Sequence, residues 1–137
     1  EKNKNLISSL GLDSSIRYRS KVSNEELLSE LRSSDIGISA SLYEGFGFPL
    51  IEMISSGLPV IASERGSLPE LMGEAGLSFN PDDAKDLCAK IINMVNDVQL
   101  REDFIQKSIQ RRGDFFGWDE YAMKLTELYQ KITNGHI

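Results

Sequence analysis

A single cysteine, Cys88, and a single histidine, His136, stand among the 137 residues. One cysteine excludes an internal disulfide framework, and one Cys with one His leaves little for a structural zinc site. That usage fits a reducing, cytoplasmic setting. No apolar run approaches the roughly 20 residues of a membrane-spanning helix, and the opening EKNKN leads into no signal-peptide core. Basic charge is in deficit: 15 Lys and Arg face 21 Asp and Glu, a formal net charge of -6. This argues against broad binding to nucleic acid or to an anionic membrane face, while leaving room for a local basic pocket. Repeats, low-complexity tracts and flexible linkers are missing. There is no initiating Met either, and Asn5 to Gly11 (NLISSLG) reads as the last turns of a helix closing on a glycine. The expectation is a segment of something longer. His136 follows Asn134 and Gly135 in the tail and reads as a solvated residue.

What is present begins with 40% hydrophobic residues, enough for one ordinary core. Short β-like runs alternate with longer helical ones, the pattern of parallel βα units. Ile16 to Ser20 (IRYRS), DIGISA, LPVIAS and AGLSFN read as four strands, the last closed by Pro81. The run Val60, Ile61, Ala62 suits a parallel strand covered on both faces. Ser23 and Glu26 have capping-box spacing before NEELLSELR, whose Leu27, Leu28 and Leu31 make one apolar stripe; Ser67 and Glu70 repeat that spacing before a short helix. Helices are expected from Asp83 to Asn96, onward through Arg112, and from Trp118 to Ile132. On the last, Trp118, Tyr121, Leu125 and Leu128 are spaced as a packing stripe. Cys88, among Leu87, Ile91, Ile92 and Val95, reads as a small buried hydrophobe. Glu74, Asp82, Asp83 and Asp86 read as caps and solvated faces, and their spacing names no metal.

This order predicts an α/β fold with a Rossmann-like doubly wound parallel sheet, in which ligands bind at the carboxyl ends of strands. At that place stands SLYEGFGFPLIE, from Ser41 to Glu52. Gly45 and Gly47 permit a tight turn and close approach to a ligand, and Pro49 suits a first helical turn. Free amides at Gly47, Phe48 and Leu50, with the positive end of the helix dipole, would suit a phosphate. Glu44 precedes the helix and Glu52 enters it, about 7 to 8 Å along its axis. A nucleotide-sugar has a matching layout, with a hydroxyl-rich ring on each side of a diphosphate, and carboxylates accept hydrogen bonds from such hydroxyls. The plainer reading is the commoner one. Glu52 with Ser55 and Ser56 makes a solvated helix face, Glu44 is a loop acid favoured by the dipole, and the G-x-G is an incomplete dinucleotide fingerprint.

Beyond spacing, SLYEGFGFPLIEMISSGLPVIAS followed by SLPELMGEAGLSFNPDD closely resembles the C-terminal donor-binding domain of retaining family-four (group 1) glycosyltransferases, which have the GT-B fold. Glu44 and Glu52 match that family's E-x7-E motif. The likeness runs from about Ile16 to Tyr129, through LREDFIQKSIQRR and FFGWDEYAMKLTELYQ. It implies a hexosyltransferase-like enzyme of glycan or polysaccharide biosynthesis, of which residues 1–137 form a partial nucleotide-sugar donor-binding domain. The residue matching Glu44, the catalytic candidate, bonds donor-sugar hydroxyls, and the one matching Glu52 bonds the ribose. Gly45, Phe46, Gly47, Phe48, Pro49 and Leu50 line the sugar and diphosphate. The loop from Ser20 to Val22 is where the family holds the base. No cofactor or metal is implied beyond the nucleotide-sugar substrate, and no nucleic acid.

The resemblance also implies what this chain leaves out. The Arg and Lys that neutralise the diphosphate precede Glu1, and Arg17 and Arg19 do not substitute for them. An N-terminal domain would bring the glycan or lipid-linked acceptor, and any contact with the inner membrane face would come through parts outside this chain. By itself the segment is expected to bind without completing transfer. Two other readings stay open: a non-catalytic nucleotide- or carbohydrate-binding module, and a glycoside hydrolase using Glu44 and Glu52, for which carboxyl separations of roughly 5 to 9.5 Å would serve. In the strand order 3-2-1-4-5-6 the four strands match the third to the sixth. The Ile16 and Ile36 strands would then not be neighbours, and the isolated segment would be marginal or self-associating.

Overall fold

The structure, a computed structural model, describes residues 2–115 and 117–135. In chain order its elements are α1 (Lys2–Ser9), α2 (Asn24–Ser33), β1 (Gly37–Ser39), α3 (Phe48–Ser55), β2 (Val60–Ser63), α4 (Leu68–Met72), β3 (Gly76–Phe79), α5 (Ala84–Asn96), α6 (Val98–Arg112) and α7 (Trp118–Thr133). The reading of His136 lies outside the described residues. Contacts divide the chain into two units, Glu1–Glu30 and Leu31–Ile137.

In the first unit, α1 closes as its composition suggests. Gly11 N–H donates to the Ser8 carbonyl at 3.0 Å and Leu12 N–H to the Ile7 carbonyl at 3.1 Å, a Schellman-type ending. The expected strand at residues 16–20 does not form, and the segment is irregular. Its alternation supplies β propensity, but a strand also needs a ladder partner and a buried face. Ile16 and Tyr18 are both exposed. Arg17 and Arg19 instead lie 3.7 and 3.5 Å from the Glu30 carboxylate. The capping box at Ser23 is reciprocal: Glu26 N–H donates to Ser23 Oγ at 3.2 Å, and Ser23 N–H donates to Glu26 Oε2 at 2.8 Å. The Ser23 backbone N–H first, and the Ser23 side chain second, hold the Glu26 carboxyl below the usual glutamate range.

The second unit is built on a parallel sheet in the order β1-β2-β3. The register places Ile38 beside Ile61 and Ile61 beside Leu77. Every residue of β2 is buried, as a central parallel strand requires. Val60 and Ala62 pack with Leu50 and Ile54 of α3 and Leu68 and Met72 of α4. Ile61 faces the other way, onto Phe79, Met94 of α5 and Phe104 of α6. The result is three layers, with the turns leaving β1 and β2 at one end of the sheet.

Two apolar readings need correction. Cys88 is exposed. The stripe that α5 turns to the core is Leu87, Ile91 and Met94, and the residue after Leu87 lies about 100° around the helix. Ile92 and Val95 are off that stripe and exposed too. On α7 no residue is buried: Trp118 is 78% exposed, with Tyr121 and Leu128 also open and Leu125 half-buried.

Candidate functional site

The loop leaving β1 enters α3 at Gly47, whose φ of 99° and ψ of 45° lie in the left-handed region. A Cβ there would also meet Leu68 Cδ2 and Leu71 Cδ1, each at 3.0 Å, so α4 packs against bare backbone. Gly47 is fixed by conformation and by space together. Gly45 is different. Its φ is not positive and a Cβ would meet nothing within 4 Å, so nothing inside the chain demands glycine there.

Leu50 N–H, expected to be free, donates to the Gly47 carbonyl at 3.0 Å. Its side chain is fully buried in the core. Pro49 sits in the first turn and has no N–H to offer. Among the described residues the amides of Gly45, Gly47 and Phe48 have no acceptor. Gly45, Gly47 and Phe48 are thus among the unused donors of the segment, and Leu50 is not.

Glu44 is half-buried, and its Oε1 accepts a hydrogen bond from Ser41 Oγ at 2.8 Å. Such a bond holds the carboxylate in one orientation and leaves lone pairs for a second donor. Glu52 is exposed on the first turns of α3, and its carboxylate has no partner among the described residues. Phe46 and Phe48 are both exposed and stack in a tilted pair with centroids 4.8 Å apart.

Ser67 departs from its expected role. It stands at the N-cap of α4, yet its hydroxyl makes no cap bond and Glu70 does not reach back to it. Instead Ser67 Oγ donates to the Phe46 carbonyl at 2.7 Å, with the Glu44 carbonyl at 3.2 Å. Beside it Gly66 has φ +59°, and a Cβ there would come within 2.9 Å of the Glu44 carbonyl oxygen. Sequence reading missed both residues as parts of the site; S-x-x-E spacing pointed to a local cap, and only folding brings residue 67 beside residue 46.

A groove of about 660 Å³ adjoins the segment, walled by Phe46, Phe48, Leu71, Phe115, Trp118 and Tyr121. Arg111 borders it but is fully engaged: it donates to the Leu71 and Glu70 carbonyls at 3.0 and 2.7 Å and to Asp114 at 2.8 Å.

The sequence model of the family described as "Glycosyl transferases group 1" matches residues 1–111. The chain belongs to this family. It is 31% identical over 129 residues to MMP alpha-(1->4)-mannosyltransferase of Mycolicibacterium hassiacum, covering 92% of this chain and 31% of that protein. It is 32% identical over 117 residues to O-antigen chain mannosyltransferase B of Escherichia coli, covering 85% of this chain and 30% of that protein. Among solved structures, sucrose-phosphate synthase from Thermosynechococcus elongatus superposes with a TM-score of 0.86 at 25% identity, over 98% of this chain and 34% of that one. The chain therefore spans about a third of the proteins it matches. The GT-B assignment and the α/β class agree with these likenesses.

Within this group 1 glycosyltransferase chain, the expected site residues are one continuous run from the loop at Glu44 into α3, with Leu50 turned to the core. The Ser20 to Val22 loop belongs to the first unit, and its Lys21 is a left-handed non-glycine residue with φ 56°. Among the described residues no cluster of His, Cys, Asp and Glu could hold a metal ion, and no helix is long and apolar enough to cross a membrane.

Proposed function

We propose that the chain is the donor-binding part of a retaining glycosyltransferase and takes a nucleoside diphosphate sugar. One observation carries this: the α3 entrance combines amides without acceptors at Gly45, Gly47 and Phe48 with carboxylates before and after them, Glu44 held by Ser41 and Glu52 open to solvent. Donor amides at a helix N-terminus suit a diphosphate and its developing charge as the bond to the sugar breaks. Carboxylates cannot usefully face phosphates and suit the hydroxyls of the flanking rings. Glu44 takes the sugar and Glu52 the ribose. Leu50 contributes by packing, while Phe46, Phe48 and Pro49 shape the approach. Membership of the family supports this reading, as do the mannosyltransferase names of the relatives.

The acceptor, the transfer step and any peripheral membrane contact belong in this proposal to the rest of the protein that carries the chain. The chain alone would bind donor and, with α7 largely exposed, self-associate. The test is a thermal-shift screen of the full-length protein against UDP-, GDP- and ADP-sugars. A ligand present at 100 times its dissociation constant should stabilise the native state by about 2.7 kcal/mol. No shift with any of the three would reject the donor reading.

A further inference from the structure

We propose that Ser67 is a positioning residue for the donor site, acting through two peptide planes of the Glu44–Gly47 loop; this rests on the donor reading above. A side chain at a helix N-cap normally accepts from the helix's own first amides. Ser67 makes no such bond. Its hydroxyl proton is directed 21 residues back along the chain, to the Phe46 carbonyl at 2.7 Å, with the Glu44 carbonyl sharing it at 3.2 Å.

The consequence follows from peptide geometry. In a trans peptide the carbonyl of one residue and the N–H of the next lie in one plane and point in opposite directions. Holding the Phe46 carbonyl towards α4 therefore turns the Gly47 N–H away from α4, and holding the Glu44 carbonyl does the same for the Gly45 N–H. These are two of the amides left without an acceptor. No cis peptide bond interrupts the described chain. One hydroxyl thus orients two donors that it never touches.

Gly66 and Gly47 keep this arrangement close. A Cβ on Gly66 would press on the Glu44 carbonyl oxygen at 2.9 Å and the Glu44 nitrogen at 3.3 Å, and Gly47 lies flat against Leu68 and Leu71 of α4. The loop has little room to relax while α4 stays in place. Without the Ser67 hydroxyl, the two planes lose the bond that selects their rotation.

The experiment compares Ser67→Ala and Ser67→Thr with the unaltered full-length protein. Binding of UDP-glucose, GDP-mannose and ADP-glucose is measured by calorimetry beside UMP, GMP and AMP. The NMR amide shifts of Gly45 and Gly47, whose peptide planes the hydroxyl is proposed to orient, are followed in parallel. For the sugar nucleotide that binds the unaltered protein, Ser67→Ala should weaken affinity about tenfold, the scale of one lost hydrogen bond. The matching monophosphate should change less than about twofold, because its ribose contact at Glu52 is untouched. The Gly45 and Gly47 amide shifts should move in Ser67→Ala while those of residues remote from the loop stay unchanged, and Ser67→Thr, which keeps a hydroxyl, should restore both shifts and binding.

Equal losses for sugar nucleotide and monophosphate, or wild-type binding by Ser67→Ala, would overturn the assignment and leave the donor reading standing. If Ser67→Ala does not fold, Gly66→Ala replaces it, since its Cβ would press on the Glu44 carbonyl and should give the same selective loss. If none of the three sugar nucleotides binds the unaltered protein, the donor reading fails and this assignment falls with it.

Discussion

Ser108 Oγ, fully buried on α6, donates to the Leu58 carbonyl at 2.6 Å, 50 residues away, with the Ala75 carbonyl at 3.4 Å. One hydroxyl thereby ties α6 to the chain entering β2 and to the residue before β3. One turn later Arg111 reaches the carbonyls of Glu70 and Leu71, in the last turn of α4. Helix α6 thus supports the element whose first residues hold the Glu44 loop. Ser108→Ala should destabilise the protein by about 1 to 3 kcal/mol, because the Leu58 carbonyl is left buried without this donor. Urea denaturation reads this directly, and a change within about 0.5 kcal/mol would refute it.

The two glycines of the loop should behave differently. Gly47→Ala forces a side chain into a left-handed residue and against two leucines, and should cost about 1 to 3 kcal/mol of stability. Gly45→Ala meets nothing and should leave stability within about 0.5 kcal/mol. If a ligand approaches Gly45 closely, that variant nevertheless loses donor affinity while its melting temperature holds. Loss of fold at Gly45→Ala, or full stability at Gly47→Ala, would contradict the geometry.

The carboxylates should separate in kinetics. Glu52→Ala in the full-length protein should weaken donor binding, and Glu44→Ala should mainly lower transfer by misplacing the sugar. Each loses a hydrogen bond to a charged acceptor, on the order of 1.5 to 3 kcal/mol. Normal affinity and turnover in both variants would show that these acids serve another purpose.

Acid should act on the first unit through Glu26. Its folded pKa is lowered by the Ser23 backbone bond first and the Ser23 side-chain bond second. A lowered carboxyl pKa gives stabilisation that is complete above the unfolded value and is lost as pH falls through the folded value. Titration followed by NMR should therefore place the Glu26 midpoint below that of exposed glutamates, and Ser23→Ala should move it upward. Because Ala keeps the backbone N–H that is the larger cause, that upward move is partial, and an unaltered-protein midpoint no lower than that of the exposed glutamates would reject the capping box.

The chain made alone should self-associate. Ile38 on β1 is 39% exposed and α7 presents Trp118, Tyr121 and Leu128 to solvent, so a sheet edge and an apolar helix face both lack a partner among the described residues. Sedimentation should show mass rising with concentration, and Trp118→Lys with Leu128→Lys should lower it. A monomer across the whole range would dispose of the idea.

Much of this architecture was legible in local pattern. The all-apolar run at Val60, the glycine closing α1, the reciprocal Ser23–Glu26 box and the Asp83 cap are decided by residues within a few positions of each other, so the periods of helix and strand reveal them. The E-x7-E run announced the candidate site for the same reason: its members are neighbours in sequence. Tertiary structure decided whatever depended on distant partners. IRYRS has strand propensity but forms no ladder, and Cys88 sits one position off a stripe whose direction is set by β2 and α6. The Leu50 amide is taken up by the turn at Gly47. Ser67 has the sequence signature of a cap, yet its hydroxyl serves a loop 21 residues earlier. A hydroxyl has one proton, and which acceptor receives it depends on which carbonyl the fold brings nearest.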